Sequence, residues 1–144
     1  MAKKKELIIS WMLLVIWMIF IFIMSSFNGN ISSNQSGSIA DLIYNLFNIS
    51  DTEKVSLIVR KFAHVSEFFI LGILVINLIN KYNVKYSYLI SFIVCVLYAS
   101  SDEFHQLFVP GRSGQVTDIF IDMIGVVLGL LIFCLINHFK SLRL

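Results

Sequence analysis

Residues 13–24 read LLVIWMIFIFIM, twelve consecutive apolar side chains. A backbone inside lipid has two solutions, a helix or a closed barrel. Barrel strands alternate polar and apolar residues, and this run does not. It predicts a helix, and the apolar stretch extends over about 7–24, close to the roughly 20 residues needed to cross a hydrocarbon core of about 30 Å. Three further runs of that kind follow, at about 62–80, 86–108 and 116–136.

Composition agrees. Hydrophobic residues form 58% of the 144-residue chain and charged residues 14%, against about 25% charged in a soluble domain. The sequence predicts an all-α, polytopic membrane protein, with four transmembrane helices in one bundle forming a single domain over 1–144. The formal charge of +2 is too small to suggest nucleic acid as a partner. Three lysines precede the first run, as in a secretory signal, but the apolar core is longer than a signal core and no clean cleavage site follows, so an uncleaved helix is expected. Cys95 and Cys134 fall at different depths in the third and fourth runs and are expected as free thiols.

The first outer loop, 25–61, carries Ile39, Leu42, Ile43, Leu46 and Phe47 at helical spacing. They predict a short amphipathic helix over 38–48, either resting on the outer leaflet or packed on the bundle as a strut. Ser50 and Glu53 have capping-box spacing, so the second helix is expected to begin near Asp51. With the N-terminus inside, Lys3, Lys4, Lys5, Lys81, Lys85, Lys140 and Arg143 fall on the inner side and Lys54, Arg60, Lys61 and Arg112 on the outer. Basic residues concentrate on cytoplasmic segments, so both termini are expected in the cytoplasm.

Against this apolar background, residues 98–122, YASSDEFHQLFVPGRSGQVTDIFID, hold four of the nine acids of the chain. Arg60, His64 and Glu67 share a helix face by their i, i+4, i+7 spacing, and Tyr98, Asp102 and His105 repeat the pattern. Asp118 and Asp122 are one turn apart and continue into Gly125 and Gly129, a small-residue stripe expected to face the bundle. Glu103 is rotated onto a neighbouring wall. An acid or base at mid-membrane costs roughly 2.5 to 3.5 kcal/mol, so these groups are expected to line a polar pocket opening to the outer side. Five acids (Glu67, Asp102, Glu103, Asp118, Asp122) against three cations (Arg60, Lys61, Arg112) leave two surplus negative charges. Either some carboxyls keep their protons or a cation sits there.

RKFAHVSEFFILG at 60–72, followed by the 98–125 segment and the polar loop SSNQSGS at 32–38, resembles the VanZ-like family of bacterial membrane proteins, named for a teicoplanin resistance determinant. The resemblance is carried by Arg60, Lys61, His64, Glu67 and Gly72; by Tyr98, Ser101, Asp102, Glu103, His105 and Gln106; and by Pro110, Gly111, Arg112, Asp118, Asp122 and Gly125. It implies a cell-envelope protein associated with lowered susceptibility to lipid-bearing glycopeptides, and it supplies no established reaction.

Several chemistries fit these residues. His64, Glu67, Asp102 and His105 could supply two imidazoles and two carboxylates to a divalent metal, with Asp118 and Asp122 nearby. A metal-free acid/base site is the second reading, with His64 or His105 moving a proton and Glu67 or Asp102 orienting it, and Glu103, Asp118 and Asp122 among the catalytic candidates. Arg60, Lys61, Tyr98, Gln106 and Arg112 are the candidate substrate-binding groups. Arg112, beside the start of the fourth helix, suits a phosphate or carboxylate, or serves as an interfacial anchor. The structural alternative is an ion network holding helices together, with Arg60 on Glu67 and Arg112 on Asp118. The expected partners are membrane lipids and a lipid-linked cell-wall precursor or the lipoglycopeptide itself. Whether the protein is an enzyme or a non-catalytic binding or shielding module is left open by the residues.

Overall fold

The computed structural model of the chain describes residues 2–28, 36–37 and 52–142. Four helices account for nearly all of them: α1 (Ala2–Ser26), α2 (Thr52–Asn80), α3 (Ser87–Gln106) and α4 (Val116–Ser141). There is no strand among the described residues. Each helix is long and apolar enough to cross a membrane, so the chain is a multi-pass membrane protein. The expected amphipathic helix at 38–48 lies outside the described residues, as does Ser50 of the expected cap. The start of α2 at Thr52 agrees with the boundary anticipated near Asp51.

Burial follows the lipid solvent. Phe68, Leu71, Ile76, Cys95, Ala99, Val126 and Leu130 form the core with Leu14 and Ile21 of α1. Phe62, Leu97, Phe104, Phe120 and much of α1 point outward. Such an exposed apolar belt would be costly in water and is at home in hydrocarbon. Cys95 is buried, Cys134 is exposed, and both are free.

The most extensive helix contact is between α2 and α4, and glycines make it. A Cβ on Gly125 would collide with the Val65 carbonyl, and one on Gly129 with the Phe69 carbonyl. From the other side, a Cβ on Gly72 would meet the Val126 oxygen at 3.0 Å. The small-residue stripe expected to face the bundle does so, and it draws the α2 and α4 backbones together. Because Asp118 and Asp122 continue that stripe, the same seam carries them against α2.

Helix α1 packs on α2 and α3, and polar side chains of those helices reach its backbone. The Tyr98 hydroxyl donates to the Met18 carbonyl at 2.6 Å. In return, the Trp17 indole donates to the Glu67 carbonyl at 2.9 Å.

Short connections keep the remaining helices antiparallel. Between α2 and α3, three successive backbone bonds of the i to i−3 type tighten the chain at Lys81, Tyr82 and Asn83. Asn83 there has φ 52°, a region asparagine tolerates better than most residues. Between α3 and α4, the Arg112 amide donates to the Val109 carbonyl at 3.1 Å across Pro110 and Gly111, and Gly111 has φ 75°. Proline at the second position and glycine at the third are what a tight turn of this hand requires. That loop, the end of α1 and the opening turns of α2 and α4 lie at the end of the bundle opposite both helical termini of the chain.

Candidate functional site

A cleft opens at that end. Arg60, Lys61 and His64 reach it from α2, Gln106 from α3, and Asp118, Ile121 and Asp122 from α4. Gly111, Arg112, Ser113 and Gln115 complete it from the connecting loop. Three helices therefore do deliver polar side chains to one hollow.

Within it, His64 and Asp122 form the deepest layer. The Asp122 side chain is 0% exposed, and its Oδ1 stands 3.6 Å from His64 Nδ1. Glu67 Oε2 is 3.9 Å from the same nitrogen. Both distances exceed a hydrogen bond, and His64 Nδ1 and both Asp122 oxygens have no hydrogen-bond partner among the described residues. Nearer the mouth, Lys61 Nζ is 3.9 Å from Asp118 Oδ1, with the lysine side chain 51% exposed. An exposed pair at that separation contributes little to stability.

Arg112 is tied differently from the expected Asp118 pair. Its Nε donates to the Phe27 carbonyl at 3.0 Å and its Nη2 to the Met24 carbonyl at 3.1 Å. The last carbonyls of a helix have no partner within the helix and form the negative end of its dipole. Arg112 satisfies two acceptors at the end of α1, and this fixes a positive charge on the cleft wall. Burial holds the Arg112 guanidinium below its ordinary pKa, with the Arg60 charge adding to the effect and Asp102, Glu67 and Glu103 opposing it. The other expected network pair, Arg60 with Glu67, is not found among the described residues.

The remaining candidates sit behind or beside the cleft. Asp102 is buried and accepts from Gln106 Nε2 at 2.9 Å, so the amide stands between the carboxylate and the hollow. Glu103 Oε2 accepts from the Gln115 amide at 2.9 Å, where it closes the loop onto the start of α4. His105 turns toward α1: its Nε2 is 3.1 Å from Ser26 Oγ and its ring packs on Phe22 with centroids 4.5 Å apart. Tyr98, with its hydroxyl on Met18, likewise faces α1.

This arrangement does not assemble the anticipated metal ligands. His64 and His105 are directed to different neighbours, and among the described residues no group of three or more His, Cys, Asp or Glu side chains is placed to hold a metal ion. Sequence reasoning also passed over Ser113, Gln115 and Ile121. Ser113 and Gln115 flank Gly114 in the loop that carries Arg112, and Gln115 Nε2 donates to Ser113 Oγ at 3.1 Å. Gly114 lets the loop close, since a Cβ there would run into the Glu103 carbonyl. Ile121 is three residues beyond Asp118, so helical spacing could have found it.

No curated protein and no solved structure matches the chain. The family model described as VanZ/LLP1 matches residues 10–137, a span that takes in every residue lining the cleft. The quoted motifs and this match agree, and the chain belongs to the VanZ/LLP1 family.

Proposed function

We propose that this protein engages an anionic, phosphate-bearing headgroup of a lipid-linked component of the bacterial cell envelope, and so lowers susceptibility to teicoplanin-type lipoglycopeptides. The observation that carries the reading is the convergence of Arg60, Lys61 and Arg112 on one cleft at the end of an apolar bundle. Guanidinium and ammonium groups are the side chains suited to phosphate oxygens. Cations at the mouth of a low-dielectric cleft also raise the local concentration of anionic headgroups. The basic-residue balance supports cytoplasmic termini, and the cleft, at the opposite end, then faces the outer leaflet.

Two versions of this role differ in chemistry. In the first, the protein modifies the headgroup. This is favoured by His64 and Asp122 lining the cleft, with Glu67 near the same imidazole nitrogen, since an imidazole backed by carboxylates can transfer a proton. In the second, the protein binds or shields the component without turnover, for which the cations suffice.

The experiment compares cells producing the wild-type protein with cells producing the Arg60→Ala/Lys61→Ala double variant. Teicoplanin susceptibility, envelope lipids and cell-wall precursors are measured at matched membrane levels. The reading expects the double variant to lose protection. Unchanged protection would sink it. A headgroup species present with wild type and missing with His64→Gln selects the enzymatic version, and identical lipid profiles select the binding version.

A further inference from the structure

We infer that the cleft takes a zwitterionic headgroup, a phosphate joined through a short linker to a primary amine, with the phosphate at Arg60, Lys61 and Arg112 and the ammonium at Asp122 and Asp118. This rests on the phosphate reading above and adds the second half of the ligand. The starting observation is that Asp122 is fully buried and lines the cleft, yet neither of its carboxylate oxygens has a hydrogen-bond partner among the described residues. Asp118 Oδ1, one helical turn nearer the mouth, is in the same condition. A buried carboxylate without donors is among the costliest groups a fold can hold, and its oxygens call for a cation with N–H or O–H groups.

The protein's own cations leave that need unmet. Lys61 stops 3.9 Å from Asp118, Arg112 spends two nitrogens on the Met24 and Phe27 carbonyls, and His64 is 3.6 Å from Asp122. A primary ammonium has three N–H donors on one small group, matching the two oxygens of Asp122 and the one of Asp118. A quaternary ammonium has none and is recognised by the faces of Trp, Tyr or Phe, and none of these is among the described residues lining the cleft. Cations toward the mouth and the buried Asp122 at the floor place the two ligand charges in a fixed order.

The test measures binding of short-chain phosphatidylethanolamine, phosphatidylcholine and phosphatidic acid to the purified full-length protein in detergent, with soluble phosphoethanolamine as a fourth ligand. The wild type should bind the primary-amine lipid about tenfold or more tightly than the other two lipids. Asp122→Asn should erase that preference. Equal binding of all three lipids by wild type overturns the inference, as does a preference that survives Asp122→Asn. The wild-type series needs no variant, so the test stands even if the substitution lowers yield, and Asp118→Asn provides a second one. If no phosphate lipid binds at all, the phosphate reading itself has failed. If phosphatidic acid binds and the amine adds nothing, only this inference has. Phosphoethanolamine matching the lipid in affinity identifies a free phospho-amine as the ligand source; much weaker binding identifies the lipid.

Discussion

Near the termini, Lys81 Nζ donates to Ser10 Oγ at 2.7 Å and to the Glu6 carbonyl at 3.2 Å. Trp11 donates to the Tyr82 hydroxyl at 2.9 Å in the same region. At the other end, around the 107–115 loop, the buried atoms of His64, Glu103, Asp118 and Asp122 include several with no partner. None of the unpartnered buried side-chain atoms among the described residues falls at the terminal end. Both ends share one bundle and one glycine seam, so the difference is not one of packing quality. Polar groups that hold helices together find each other, because an unmade hydrogen bond in lipid is costly. Groups kept apart in the same setting are available to a ligand, and that contrast is what supports function at the cleft.

The largest expected effect removes the contrast by removing both ends at once. Gly125→Leu or Gly129→Leu forces a side chain into an α2 carbonyl that has no room to retreat, and each should cost about 3 kcal/mol or more. Loss of the monodisperse species in size-exclusion chromatography checks this, and normal behaviour of both variants would contradict the seam as drawn.

The sharpest separation of the ends is a difference of sign. Lys81→Met deletes satisfied hydrogen bonds and should destabilise by about 1 kcal/mol. Asp122→Val replaces an unpartnered buried carboxyl and should stabilise the ligand-free protein by about 1 kcal/mol. Denaturant titration in detergent reads both, and two losses of similar size would erase the distinction between the ends. Smaller still, Trp17→Phe and Trp11→Phe should each cost about 0.6 kcal/mol, the average for a polar contact between helices in a membrane. A thermal unfolding series checks whether these two losses stay small and alike.

Much of the architecture was legible because apolar run length and glycine spacing are local properties. The run at 13–24 identified α1, and Pro110–Gly111 gave the turn that returns the chain into α4. The stripe through Asp118, Asp122, Gly125 and Gly129 pointed into the bundle, and the helix it meets there is α2. The failures have a common cause. Tyr98, Asp102 and His105 do share a face by spacing, but α1 covers part of it, so Tyr98 and His105 turn to Met18 and Ser26. Which neighbour divides a helix face depends on tertiary packing, and periodicity carries no record of it. Arg112 escaped for a related reason: its acceptors are main-chain carbonyls of Met24 and Phe27, and matching charged side chains to each other never considers the backbone. The metal set failed with His105, since it needed both histidines in one place.

At the centre of the account is the claim that the cationic wall of the cleft retains a phosphate-bearing lipid. Native mass spectrometry of protein released from its membrane reads this directly, by comparing wild type with Arg60→Ala/Lys61→Ala. Wild type should carry a co-purifying lipid of phosphate-headgroup mass in about one-to-one ratio, and the double variant should have lost it while remaining folded. A double variant that keeps the same lipid at the same occupancy, or a wild type that carries none, would contradict the account.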